Sequence, residues 1–144
     1  MLNSETEDQT GEPGAQAPHI SRKALWAGWI MTGLPTLFLL FDGIMKLVKP
    51  KFVVKATVQL GYPESVIVPL GIVLLACAVA YLIPRTSTLG AILLTGYLGG
   101  AVATHVRVGA GLFEILFPVA FGAFLWGGLF LRDPRLRRSM FPCL

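Results

Sequence analysis

Charged residues are scarce in this chain of 144 residues: 14% are Asp, Glu, Lys or Arg, whereas an average soluble domain has about 25%. In their place the sequence has four long apolar runs, residues 24–41, 65–84, 86–106 and 115–131. Each run is close to the roughly 20 residues that a helix needs to cross a bilayer. The composition therefore excludes an ordinary soluble domain and predicts an integral membrane protein whose first partner is the lipid bilayer.

Cysteine and histidine are scarce as well. The two cysteines, Cys77 and Cys143, form no C-x-x-C pair, which argues against an oxidoreductase that works through its own dithiol. Of the two histidines, only His105 lies within a predicted span, because His19 precedes the first one. We therefore expect no metal centre and no haem, since both need several suitable ligands.

The chain divides into an acidic tail predicted to be disordered (residues 1–21), a membrane domain (22–132) and a basic tail (133–144). Between the first two spans, apolar residues alternate with lysines and a glutamine from residue 51 to 60, which predicts a short helix on the membrane surface. The fold class is therefore all-α: a membrane-spanning four-helix bundle with a short interfacial helix between spans 1 and 2. The predicted spans are approximately residues 24–48, 65–84, 86–106 and 112–131.

All 12 basic residues follow residue 21, and most of them flank the spans. Such residues anchor helix ends at lipid headgroups, so we expect no nucleic-acid partner. Four spans place both termini on one side, which collects seven basic residues against five on the other. The positive-inside rule then predicts a multi-pass protein of the cell membrane with cytoplasmic N- and C-termini.

A group of polar residues is predicted near the membrane surface opposite the termini. Asp42 and Lys46 stand one helical turn apart, and His105 comes at the end of the third span. These three are the candidate catalytic residues, because His105 can exchange protons near neutral pH and Asp42 can orient Lys46. The candidate ligand-binding residues are Lys46, Tyr97, Thr104, His105, Arg107 and Glu114.

A structural interpretation competes with this one. Charges near helix ends can extend to the interface, and the pair of Asp42 and Lys46 can simply stabilise a helix end. Arg107 then serves as an interfacial anchor, and Glu114 as an acid suited to a helix N-terminus.

The third span also carries a strip of small residues, Gly96, Gly100 and Ala103, on one helix face. Such strips let helices approach closely in membranes. The favoured interpretation is packing within the bundle, and the alternative is an oligomer that forms through this strip.

Several dispersed features resemble the DoxX-like family of small four-helix membrane proteins over about residues 26–131. They are Gly43 and Lys46 late in the first helix, Gly61-x-Pro63 before the second, Gly71, Pro84, Gly90 and His105. The resemblance implies a four-helix membrane bundle linked to quinone-coupled sulfur oxidation, to membrane assemblies that handle oxidative stress, or to chaperones of the same topology. The architecture is also similar to the vitamin K epoxide reductase bundle, but that family's cysteine motif is missing here.

Three hypotheses about function follow. The first is a membrane accessory or subunit that binds a hydrophobic redox molecule such as a quinone, together with a membrane or soluble redox protein. The second is a non-enzymatic assembly factor or chaperone that uses the strip of Gly96 and Gly100 or the lipid-facing surface. The third is an enzyme acting on a lipophilic substrate by acid–base chemistry with His105. The sequence leaves open whether the protein is an enzyme.

Overall fold

The computed structural model describes residues 22–133 and Leu136, and these residues contain helices and no strand. The predicted acidic tail and nearly all of the basic tail lie outside the described residues. The five helices are α1 (Arg22–Val48), α2 (Lys51–Gln59), α3 (Ile67–Leu82), α4 (Ser87–Arg107) and α5 (Leu112–Arg132), with a 3-10 turn at Glu64–Val66 before α3.

The four long helices form a closed ring. Helix α1 packs against α3 and α5, and α4 packs against the same two neighbours, so α1 and α4 lie diagonally opposite. The short helix α2 contacts mainly the 3-10 turn and packs little against the ring. This arrangement confirms the predicted all-α four-helix bundle, including a separate short helix between the first two spans.

The outer surface of the ring is strongly apolar. Leu34 on α1 is 74% exposed and Phe113 on α5 is 75% exposed. Helices α1, α3 with its preceding turn, α4 and α5 are each long and apolar enough to cross a membrane. An apolar surface this extensive is stable where lipid covers it and the backbone is satisfied within helices. The chain is therefore a multi-pass membrane protein.

The end of the bundle nearest the termini is closely packed. Tyr81 is fully buried, and its hydroxyl donates a hydrogen bond to the Leu125 carbonyl at 2.7 Å. Gly90 lies directly against the backbone of the preceding helix, since a Cβ there would come within 2.7 Å of the Ala80 carbonyl carbon. The Thr86 hydroxyl donates to the Ala80 carbonyl at 2.8 Å, which fixes the tight connection between α3 and α4.

Helix α1 also approaches α5 closely at this end. A Cβ at Gly28 would lie 3.1 Å from the Leu131 Cβ, and one at Gly128 would lie 2.9 Å from the Thr32 nitrogen. Glycine at these positions therefore lets the two backbones meet. The helices are brought together with no large side chain between them.

The opposite end of the bundle is packed on only one side. Helices α1 and α3 approach closely there, since a Cβ at Gly71 would lie 2.8 Å from the Lys46 Cβ, and one at Gly43 would lie 2.7 Å from the Leu75 Cγ. On α4, in contrast, a Cβ at Gly96 or Gly100 would meet nothing within 4 Å. A cavity lies against this unfilled face of α4.

Candidate functional site

The cavity has a volume of about 550 Å³ and is partly open. Helices α1, α2, α4 and α5 form most of its walls, Leu60, Tyr62 and Leu70 complete them, and most of the lining is apolar. Small-molecule sites in proteins typically have volumes of about 300–1,000 Å³, with apolar walls and a few polar groups. The polar lining residues are Asp42, Lys46, Thr57, Tyr62, Tyr97, Thr104 and His105.

Gly96 and Gly100 line this cavity. A Cβ at either position would meet nothing within 4 Å among the described residues, and close packing of this strip within the bundle stays a prediction. Ala103 is exposed and is not part of the lining. The two glycines leave room for the cavity by lacking side chains. The alternative, a contact with another copy of the chain, stays a prediction.

Asp42 and Lys46 form a hydrogen-bonded ion pair at the cavity wall. The side chain of Lys46 is 16% exposed and that of Asp42 is 36% exposed, so the pair is partly shielded from solvent. Packing against Gly71 fixes the position of the Lys46 stem. Two of the three ammonium protons and one carboxylate oxygen remain free for a bound molecule.

Helix α4 contributes Tyr97, Thr104 and His105 to the same cavity. The Thr104 hydroxyl donates to the Gly100 carbonyl at 2.8 Å. Since a hydroxyl has a single proton, the Tyr62 hydroxyl must donate to the Thr104 oxygen, from which it is separated by 2.8 Å. The Tyr97 side chain also lines the cavity. It lies within electrostatic range of the Asp42 carboxylate, so α1 and α4 present their polar groups to one space.

The ring of His105 is oriented by its own helix. Its Nδ1 lies 2.7 Å from the Ala101 carbonyl, and a carbonyl can only accept a hydrogen bond. Nδ1 therefore carries a proton. In the neutral ring, Nε2 is then a free hydrogen-bond acceptor at the cavity.

Aromatic rings form the apolar wall between α1 and α5. Phe38 lies 5.0 Å from Phe121 and 5.7 Å from Phe117, measured between ring centroids. Phe117 and Phe121 are 4.7 Å apart, and all three line the cavity. The sequence interpretation missed these residues, although phenylalanines four positions apart on α5 indicated a single aromatic helix face.

Arg107 and Glu114, two predicted ligand-binding residues, do not line the cavity. Arg107 donates from its guanidinium to the Leu60 carbonyl at 2.9 Å and lies 5.9 Å from the Tyr62 ring centroid. The Glu114 carboxylate folds back over Gly111, the residue that precedes α5. There it meets the positive end of the helix dipole. Neither side chain is part of the lining, although the two residues that Arg107 contacts, Leu60 and Tyr62, are.

Helix α2 covers the cavity and contributes four of its lining residues. Residues with positive φ flank it, Lys49 at 54° and Gly61 at 83°. The Lys49 ammonium pairs with the Glu64 carboxylate at 2.9 Å. This ion pair joins the two ends of the covering segment, residues 49–64. With little packing against the ring, α2 depends on these polar contacts and on Arg107 for its position.

We expect Arg107→Gln to loosen α2 without unfolding the bundle. Losing one exposed charge-assisted hydrogen bond should cost roughly 1 kcal/mol, equivalent to about fivefold more frequent local opening. Hydrogen–deuterium exchange of residues 51–60 would therefore accelerate, while exchange in α3 stays unchanged. Lys55→Gln, a change at an exposed position on α2, is the control. Equal exchange of α2 in Arg107→Gln and the original protein would contradict this role.

No group of three or more His, Cys, Asp or Glu residues suited to a metal ion occurs within the described ranges. The polar residues of the cavity are instead suited to an organic molecule with oxygen substituents. Lys46 and Tyr97 can donate hydrogen bonds, whereas Asp42 and His105 can accept them.

Comparison with known proteins gives one match. A family model for the DoxX-like family matches residues 30–128, which include all four long helices in whole or in large part and every polar residue of the cavity lining. No curated protein and no solved structure matches the chain.

Proposed function

The chain belongs to the DoxX-like family, and we propose that it binds a neutral, lipophilic redox molecule of the quinone type in the cavity between α1, α2, α4 and α5. In this proposal the protein is an accessory or subunit that holds the molecule for a membrane or soluble redox partner. The observation that carries the proposal is the convergence of Lys46, Tyr97 and His105 on one mostly apolar cavity.

The shape and lining of the cavity support a ring-shaped, lipophilic ligand. Its aromatic wall, formed by Phe38, Phe117 and Phe121, offers faces and edges against which a flat ring can stack. The partly open form of the cavity leaves an exit for a tail longer than the cavity itself. Quinones combine such a ring with an apolar tail.

The charges at the cavity support a neutral headgroup. The charges of Asp42 and Lys46 cancel within the pair, and the nearby cation of Arg107 donates to the Leu60 carbonyl and does not itself line the cavity. An anionic lipid or a fatty acid would place an uncompensated charge here, which is costly in a partly desolvated site. A carbonyl or hydroxyl headgroup carries no such cost.

The predicted orientation determines which side the polar end of the cavity faces. Asp42, Lys46 and His105 lie towards the ends of α1 and α4 that are remote from the termini. With cytoplasmic termini, as the basic residues predict, a redox partner would reach the headgroup from the non-cytoplasmic surface.

We expect Gly100→Leu to abolish ligand binding by filling the cavity. Gly100 lines the cavity, and its Cβ position is unobstructed, so the bundle should fold with the leucine side chain in the space of the ligand. The measurement is binding of decylubiquinone, a short-chain quinone, to the purified protein in lipid nanodiscs. Binding should weaken by about 100-fold, since a blocked site loses most of the contact energy.

Gly99→Leu is the matched control. Gly99 is the adjacent residue on α4, is equally unobstructed, and does not line the cavity. This variant should bind decylubiquinone as the original protein does. Full binding by Gly100→Leu would contradict the proposed site, whereas loss in both variants would show a general defect of α4 instead of a blocked cavity.

A second candidate function is a non-enzymatic assembly factor. It is favoured by the small residues Gly99 and Ala103, which are exposed on α4 and would allow a helix of another protein to approach. Under this hypothesis Gly99→Leu abolishes recovery of a membrane partner while quinone binding persists. Recovery of the same partners by the original protein and by Gly99→Leu would contradict it.

A further inference from the structure

The polar residues at the cavity differ in how much hydrogen-bonding capacity they have left. Thr57 donates to the Val53 carbonyl at 2.8 Å, and Tyr62 and Thr104 are engaged with each other and with α4. Their protons are therefore unavailable to a ligand. The remaining capacity belongs to Asp42, Lys46, Tyr97 and His105.

These four residues form a mixed set of donors and acceptors. The Lys46 ammonium and the Tyr97 hydroxyl can donate, while the second Asp42 oxygen can only accept. The His105 Nε2 also accepts in the neutral ring, because the bond to the Ala101 carbonyl places the proton on Nδ1. A matching ligand must therefore donate as well as accept hydrogen bonds.

The two redox forms of a quinone differ in this respect. The oxidised form has carbonyl oxygens, which accept only, so a carbonyl beside Nε2 or the Asp42 carboxylate would place lone pairs against lone pairs. The reduced form, a quinol, has two hydroxyl groups that both donate and accept. Leaving a desolvated acceptor without a partner costs about 1–3 kcal/mol, and the quinol avoids this cost.

We propose that the cavity is selective for the reduced, dihydroxy form of its ligand, and that His105 is the residue that distinguishes the two forms. This inference rests on the proposed function, since it names the redox form that the same site holds. Reduction takes up two electrons and two protons, so tighter binding of the quinol makes the bound molecule easier to reduce. A tenfold difference in affinity raises the two-electron midpoint potential by about 30 mV.

The test compares decylubiquinone with decylubiquinol, kept reduced under anaerobic conditions, as ligands of the full chain in lipid nanodiscs. Isothermal titration calorimetry should give a dissociation constant about tenfold lower for the quinol. The factor of ten corresponds to the cost of one acceptor left unpaired in the complex with the quinone. In His105→Gln the side-chain amide can either donate or accept, so the affinity ratio should fall towards one. Lys55→Gln, at an exposed position on α2, should keep the tenfold ratio.

Each other outcome has a distinct meaning. Equal binding of both forms, or tighter binding of decylubiquinone, would overturn the selectivity while leaving the proposed quinone site intact. A tenfold ratio that persists in His105→Gln would overturn the role of His105. Binding of neither form would overturn the proposed function and this inference together.

Discussion

Gly90→Val should prevent the chain from accumulating as a folded protein. Gly90 lies against the backbone of Tyr81 and Ala80, where even one added carbon would come too close for either helix to remain in place. Flexible side chains can move aside, but here the obstructing atoms belong to the backbone of α3. Extra carbon atoms in a packed core cost about 1–3 kcal/mol, and more when backbone must shift. We therefore expect a loss of at least about 3 kcal/mol.

The measurement is the yield of monodisperse protein in detergent and the midpoint of its thermal unfolding by circular dichroism. Gly99→Ala is the control, because it adds a methyl group to the same helix at a position with nothing within 4 Å. Replacing a glycine inside a helix by alanine stabilises the helix by up to about 1 kcal/mol. The thermal unfolding midpoint of Gly99→Ala should therefore equal or exceed that of the original protein. A Gly90→Val protein as stable as the Gly99→Ala control would contradict the close contact of α3 and α4.

Lys46→Met should remove most of the affinity for a quinone while leaving the bundle folded. Methionine keeps the apolar stem that packs near Gly71 but cannot donate a hydrogen bond, and it leaves Asp42 without its cation. Hydrogen bonds to charged groups contribute about 1.5–3 kcal/mol. Binding of decylubiquinone should therefore weaken by roughly 10- to 100-fold.

Lys55→Met provides the comparison, since it removes an equal charge from an exposed position on α2. It should bind decylubiquinone normally. Unchanged affinity in Lys46→Met would mean that the ion pair only stabilises the end of α1, as the structural interpretation of the sequence holds.

The helices could be predicted from the sequence because lipid imposes a simple pattern. A span needs about 20 apolar residues whatever its neighbours are, so the observed helices α1 and α5 begin and end within two residues of the predicted ones. The alternation of lysines with apolar residues likewise predicted α2, since an interfacial helix is specified by its own two faces.

The grouping of residues at the candidate site was predicted only in part. Depth in the membrane follows from position along a span, which is why Asp42, Lys46 and His105 could be grouped before their surroundings were known. Whether a residue faces the interior depends on how each helix is rotated by its packing, and this is decided by contacts distant in sequence. Arg107 faces the covering segment at Leu60, and this could not be read from the end of α4 alone.

The glycines illustrate the same limit. Glycine in a membrane helix indicates close approach, and this holds at Gly43, Gly71 and Gly90. At Gly96 and Gly100 the missing side chain leaves room for a cavity instead. The local sequence is equally consistent with a close helix contact and with a cavity, because the outcome depends on whether a neighbouring helix packs against the glycine.

The central claim, a neutral lipophilic ligand in the cavity, is tested most directly by native mass spectrometry. The full chain would be purified in mild detergent from its own membranes, and the small molecules released from it would be identified. We expect one neutral, quinone-type molecule per chain, retained by Gly99→Leu and missing from Gly100→Leu. The claim would be contradicted if the original protein, Gly99→Leu and Gly100→Leu all carried only phospholipid, in equal amounts.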